Sequence, residues 1–241
     1  MNSEQKEHYG IQDLLHIVEI LRDPINGCPW DRVQTHHSIR MNFLEETYEV
    51  LEAIDKEDSN LLCEELGDVL LQVALHSRIE EQIGKFGFDD VCDGICRKLI
   101  GRHPHIFGDP ALQNTDKTVL DSWDEIKNKE KGRLSVQADL ESVPVTLPAL
   151  MKAAKTQKRA SRYGFAACDL PQAETNMNAA AQAFEKNANE QTMGELLFCV
   201  VQAARAAQID PELALEKAVK QFSEDVIARE QAAEQRERNL Q

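Results

Sequence analysis

Five acidic residues have a spacing that chemistry can use. Glu45, Glu46 and Glu49 stand in "LEETYEVLEAI", and sixteen residues beyond Glu49 come Glu65 and Asp68 in "CEELGDVLLQV". On a helix turning about 100° per residue, Glu45, Glu49 and Glu52 fall within about 60° of one another, with Glu46 about 60° further round. Phe43, Thr47, Val50, Leu51 and Ile54 take the other side. That pattern alone also describes an ordinary amphipathic helix with a solvated acidic face, at a cost of a few tenths of a kcal/mol for each like-charge pair. The second stretch is less ambiguous. Glu65, Asp68, Gln72 and His76 form one stripe flanked by Leu61, Leu62, Val69, Leu75 and Ile79, and a helix apolar nearly all round is expected to be buried.

Ionised carboxylates in such a helix need a compensating charge. Lys56 is the one basic side chain between positions 44 and 72, so a bound metal ion is the economical source. Oxygen-only ligands select hard cations, Mg2+ or Mn2+, over zinc. A di-iron helical site would need Glu-x-x-His pairs, and the chain has none. A loose carboxylate cage leaves coordination positions for water and phosphate oxygens, which suits hydrolysis of a phosphoanhydride. One carboxylate not fully engaged with metal would then act as general base; Glu45 and Glu46 are both candidates.

The elements that must position these acids read as helices. Hydrophobic residues make up 42% of the 241, aromatics only 5%, and 11 Gly and 8 Pro interrupt the chain, a balance that predicts an all-α fold. Apolar spacing places helices at about 10–22, 39–55, 60–83 (capped by Asp58 or Ser59) and 89–101, with another near "TVLDSWDEIKNKEK". The loop "DPINGCPWDRVQTHHS" separates the first two. "GRLSVQADLESVPVTLP" lacks a helical stripe and reads as a linker over 132–147. Further helices follow, the last opening with an Asp210 cap and Pro211 in its first position. "ELGDVLLQVALHSRIEEQ" aligns with "TMGELLFCVVQAARAAQ", which points to an internal duplication in which Glu65 corresponds to Thr192 and Asp68 to Glu195.

The formal charge of −15 argues against binding a nucleic-acid polymer, which needs a basic surface. No apolar run long enough for a bilayer occurs and the first residues lack a secretory core, so the expected setting is the cytoplasm. Six scattered cysteines without a CxxC pair read as free thiols of a reducing compartment.

Taken together, "GCPWDRVQTH", "LEETYEVLEAI", "EELGDVLLQV", "IGRHPHIF" and "SWDEIKNKEK" resemble the MazG nucleoside triphosphate pyrophosphohydrolases over residues 10–131. The resemblance implies tandem four-helix-bundle-type modules that dimerise and use Mg2+ to cut nucleoside triphosphates to monophosphate and pyrophosphate, as in cleaning of the nucleotide pool. It makes Glu46, Glu49, Glu65 and Asp68 the metal ligands, with Glu45 completing the cluster. Arg97, Lys98, Arg102 and Lys127 become phosphate contacts, Trp30 or Trp123 a base-stacking partner, and His103 and His105 turn residues. The second module, expected over 148–235, has lost the acidic signature and is expected to hold no catalytic metal, serving dimerisation, stability or regulation. The alternative is a nucleotide- and metal-binding sensor or scaffold with little turnover.

Overall fold

The computed structural model describes residues 6–108 and 135–240. Every regular element among them is helical, and the chain divides into two compact units, Met1–Lys117 and Thr118–Gln241.

The first unit holds α1 (Ile11–Leu21), α2 (Arg40–Asp55), α3 (Ser59–Gln82), α4 (Phe88–Arg102) and the short α5 (Pro104–Phe107), with a 3-10 turn at Asp31–Val33. α2 and α3 form the most closely packed pair, an antiparallel hairpin; α1 and α4 pack on α3. The hairpin's turn is short because Asp58 caps α3, its carboxylate accepting from the amides of Asn60 (2.9 Å) and Leu61 (3.1 Å). Such a cap is worth about 1 kcal/mol. Val18, Ile39, Ala74 and Leu75 form the buried centre, with Leu14, Leu15, Leu71 and Ile79 packed around it. The core therefore sits against the C-terminal half of α3, beyond the acidic turns.

Buried Arg22 organises the loop between α1 and α2. Its guanidinium donates to the carbonyls of Asp31 (2.6 Å) and Gln34 (3.2 Å) and to Oε1 of Gln82 at the end of α3 (3.1 and 2.9 Å). Gln82 answers by donating to the Arg22 carbonyl at 2.9 Å. Gly27 makes this turn possible, since a Cβ there would lie 2.5 Å from the carbonyl oxygens of Leu21 and Asp23.

The second unit holds α6 (Val136–Glu141), α7 (Ala149–Ser161), α8 (Leu170–Lys186), α9 (Glu190–Ala206) and α10 (Pro211–Leu240). α8 and α9 repeat the intimate pairing of α2 and α3, and α7 packs on α9. Asp210 caps α10 by accepting from Glu212 and Leu213 amides at 3.0 and 3.1 Å. The segment read as a linker contains α6, capped by Ser135 and docked on α7. Its anchor is Asp139, fully buried, whose backbone carbonyl and carboxylate meet Arg159 and whose Oδ2 accepts from Arg162 at 3.4 Å. A six-residue helix with one buried ion pair has too little apolar periodicity to show in the sequence. The helix read near "TVLDSWDEIKNKEK", with Trp123 and Lys127, lies outside the described residues.

Candidate metal centre and active site

The α2–α3 hairpin brings three of the predicted acids together. One carboxylate oxygen from each of Glu46, Glu49 and Glu65 lies within 4.8 Å of the others. Two residues three apart on α2 thus face one on α3, and among the described residues this is the acidic group close enough to share a cation. Asp68, one turn beyond Glu65, is outside that triplet, yet its charge acts on both Glu46 and Glu65. Glu45 sits exposed on α2 beside the cluster.

The electrostatics are those of crowded like charges. Partial burial first, then the charge of Asp68 and a hydrogen bond with Glu49, push the Glu46 carboxyl above its ordinary range. Glu65 is raised in the same way, by desolvation and then by Glu49, Glu64 and Asp68. A hydrogen bond between two carboxyls requires a shared proton, so a cation would displace that proton and relieve the repulsion. The donor set is oxygen only, which fits Mg2+ or Mn2+.

The burial expected for the acidic end of α3 is incomplete within the chain. Glu65 and Asp68 are partly exposed, and Leu66 (51%) and Leu70 (39%) present apolar surface beside them. α2 covers one side of this end of α3, while the core begins only at Gln72. Leu44 and Tyr48 on α2 are similarly uncovered.

Past the acids, the hairpin seam changes character. Gln72, only 6% exposed, has a buried Oε1 with no hydrogen-bond partner among the described residues, an omission that costs about 1–3 kcal/mol. One turn further, His76 meets His36 edge to edge, ring planes parallel and Nδ1 atoms 2.7 Å apart, and meets Phe43 in a T-shaped contact at 5.9 Å between ring centroids. His36 Nε2 donates to Glu80 at 2.7 Å. His36, Phe43 and Glu80 went unmarked at the level of sequence, because a single His in a loop or a Phe on a helix is most often packing. "QTHH" after a turn-rich loop was the available signal.

The predicted phosphate and base contacts are dispersed. Arg97 is exposed and paired with Asp93 at 2.6 Å, one turn back on α4. Lys98 is exposed on the same helix, and Arg102 is buried at its end. Trp30 is 55% exposed on the Arg22-anchored loop. His103 closes α4, its Nδ1 donating to the Leu99 carbonyl at 2.6 Å.

In the second unit the matching stretch of α8 and α9 holds a groove of about 680 Å3 lined by Ala179, Ala180, Ala183, Gly194, Glu195, Phe198 and Cys199 among others. Where the first hairpin gathers carboxylates, this one is largely apolar.

A helical hairpin that joins Glu-x-x-Glu on one helix to Glu-x-x-Asp on the next defines a class of nucleotide pyrophosphohydrolase domains, and the profile of the MazG nucleotide pyrophosphohydrolase domain matches residues 34–107, which span both helices. The chain is 42% identical over 221 residues to a nucleoside triphosphate pyrophosphohydrolase of Escherichia coli (strain K12), covering 88% of this chain and 84% of that one. It is 39% identical over 217 residues to the nucleoside triphosphate pyrophosphohydrolase/pyrophosphatase MazG of Thermotoga maritima, covering 88% and 82% respectively. The chain belongs to the MazG family.

Proposed function

We propose that the chain is a hydrolase that converts nucleoside triphosphates to the monophosphate and pyrophosphate, with Mg2+ as cofactor and Mn2+ as a substitute, at the acidic cluster of its first unit. The observation that carries this reading is the trio of carboxylate oxygens from α2 and α3 within 4.8 Å of one another. The relatives' names support it, as each is a nucleoside triphosphate pyrophosphohydrolase.

Glu46, Glu49, Glu65 and Asp68 hold the cation in this reading. Held by these carboxylates, a divalent cation would supply charge neutralisation for the phosphates and acidify the attacking water. Glu46, whose carboxyl already holds its proton more tightly than usual, suits the general base that takes a proton from the attacking water, and Glu45 is the alternative. Arg97, Lys98, Arg102 and Lys127 steady the phosphates; Arg97 does so by exchanging Asp93 for a phosphate oxygen. Trp30 or Trp123 stacks on the base. The leaving group is pyrophosphate or the nucleoside monophosphate, depending on which phosphorus the water reaches.

The unit boundaries in this reading are 10–131 for the active module, 132–147 for the connection and 148–235 for a module without catalytic metal. Uncovered Leu44, Tyr48, Leu66 and Leu70 support a homodimer closed over the α2–α3 hairpin. No helix among the described residues is long and apolar enough to cross a membrane, and the six free cysteines fit a reducing cytoplasm, where removal of surplus or aberrant nucleotides is the role we assign.

Incubation with a panel of ribo- and deoxynucleoside triphosphates and Mg2+, with product identification, tests the proposal. Release of monophosphate and pyrophosphate, lowered at least about a hundredfold by Glu49→Gln, is the expected result. Tight nucleotide binding with no release above that variant would make the protein a sensor rather than an enzyme.

A further inference from the structure

We propose that Gln72 reads the nucleoside part of the substrate: its buried carbonyl oxygen accepts a hydrogen bond from a donor group on the base or sugar. This rests on the reading of Glu46, Glu49 and Glu65 as the metal and phosphate end of the site.

Gln72 has a defined place between two crossings of the same hairpin. On one side Glu46 of α2 meets the charges of Glu65 and Asp68 on α3; on the other, Phe43 of α2 meets His76 of α3. Gln72 is one turn from Asp68 and one from His76 on the same stripe, and α-helical side chains lean toward the helix N-terminus, here toward the acids. A nucleotide whose phosphates sit at the carboxylates and which lies along α3 has its nucleoside a few ångströms further along the same stripe. The wall it would meet changes there from acidic to aromatic and amide.

The amide oxygen is the second observation. Gln72 is more than nine-tenths buried, and its Oε1 has no hydrogen-bond partner among the described residues. Buried polar groups in native proteins are almost always paired, so an orphan acceptor one turn beyond the acidic cluster points to a donor that arrives from outside. The fold does not require an amide at this position. In the duplicated register Gln72 corresponds to Cys199, which lines the apolar groove of the second hairpin beside Phe198.

Gln72→Leu and Gln72→Met in the full-length protein test the assignment, read by three measurements. Thermal unfolding of the metal-free variants should show a midpoint equal to or above the wild type, because an apolar isostere removes an unpaired group. Mn2+ titration without nucleotide should be unchanged. Across a panel of nucleoside triphosphates differing in amino and hydroxyl donors, KM should rise about ten- to hundredfold for those the wild type favours, with kcat changed less, so that the preference flattens. An unchanged substrate profile overturns the inference, and shows that the oxygen holds at most a water. Loss of folding in both variants overturns it as well, since the chain itself would then need the amide. Failure of the wild type to take up Mn2+ would overturn the metal reading, and this inference with it; an inactive Glu49→Gln beside a fully wild-type Gln72→Leu would sink only the inference.

Discussion

His36 and His76 meet edge to edge, ring planes 5° apart, centroids separated by 5.0 Å and Nδ1 atoms by 2.7 Å. Glu80 can only accept, so His36 gives it the Nε2 proton; a neutral His36 then accepts at Nδ1 from the Nδ1–H of His76. A single proton bridges the two rings.

Protonation of His76 at Nε2 leaves its Nδ1–H bond to His36 in place but puts a charge on a half-buried ring. Burial first, and the neighbouring His36 second, hold its pKa below 6.5. The unfolded chain therefore binds more protons than the native one just below pH 6.5, and stability falls as pH drops through 6.5 toward the depressed native value. The first unit's unfolding midpoint should fall over that window, and His76→Phe should flatten the slope. An unaltered slope in the variant would assign it to other groups.

The carboxylate cluster has the opposite sign. Glu46 and Glu65 are raised above 4.5, so without metal their contribution is full below pH 4.5 and is lost as pH rises through their native values. Added Mg2+ or Mn2+ should reverse the loss and release protons, measurable by calorimetry in two buffers of different ionisation enthalpy. Identical heats in the two buffers, after scaling, would show that no proton is displaced.

Asp139 should govern the second unit. Asp139→Ala leaves Arg159, itself only 7% exposed, without its carboxylate, and breaking a buried pair costs about 3–5 kcal/mol. The expected result is a lowered unfolding midpoint for the second unit, with the metal affinity of the first unchanged. Replacement of Asp139 and Arg159 together by apolar residues should recover part of the loss.

Uncovered Leu66 and Leu70 should sit inside the proposed homodimer. Leu66→Glu with Leu70→Glu is expected to halve the mass measured by light scattering while leaving helix content intact. A protein that is already monomeric before substitution would refute the dimer.

Much of the fold was legible because its signals are local. The helices at 11–21, 40–55, 59–82 and 88–102 follow apolar periodicity and a readable Asp58 cap to within a residue or so. The acids were legible by type and spacing, and the coming together of Glu46, Glu49 and Glu65 follows from an antiparallel hairpin of two such helices. What the sequence hid is contact-dependent. The degree of burial at Leu66 depends on what packs over α3, which periodicity along one helix does not report. The His36–His76 pair joins residues forty positions apart, and the orphan oxygen of Gln72 is defined by the lack of a hydrogen-bond partner among the described residues. α6 was missed because buried Asp139, paired with Arg159 and Arg162, anchors a helix too short to carry an apolar stripe.

The anchored loop between α1 and α2 has a thermodynamic consequence. Arg22 fastens its carbonyls to α3, and Gln34 Nε2 donates to the Trp30 carbonyl at 2.9 Å while its Oε1 accepts from Ser38 at 2.6 Å. The backbone beneath the exposed indole is thus ordered when the domain folds, not when a ligand arrives. Whatever flat group meets Trp30 loses only its own freedom on docking, and weak, short-lived visitors can be sampled without a closing motion to slow them.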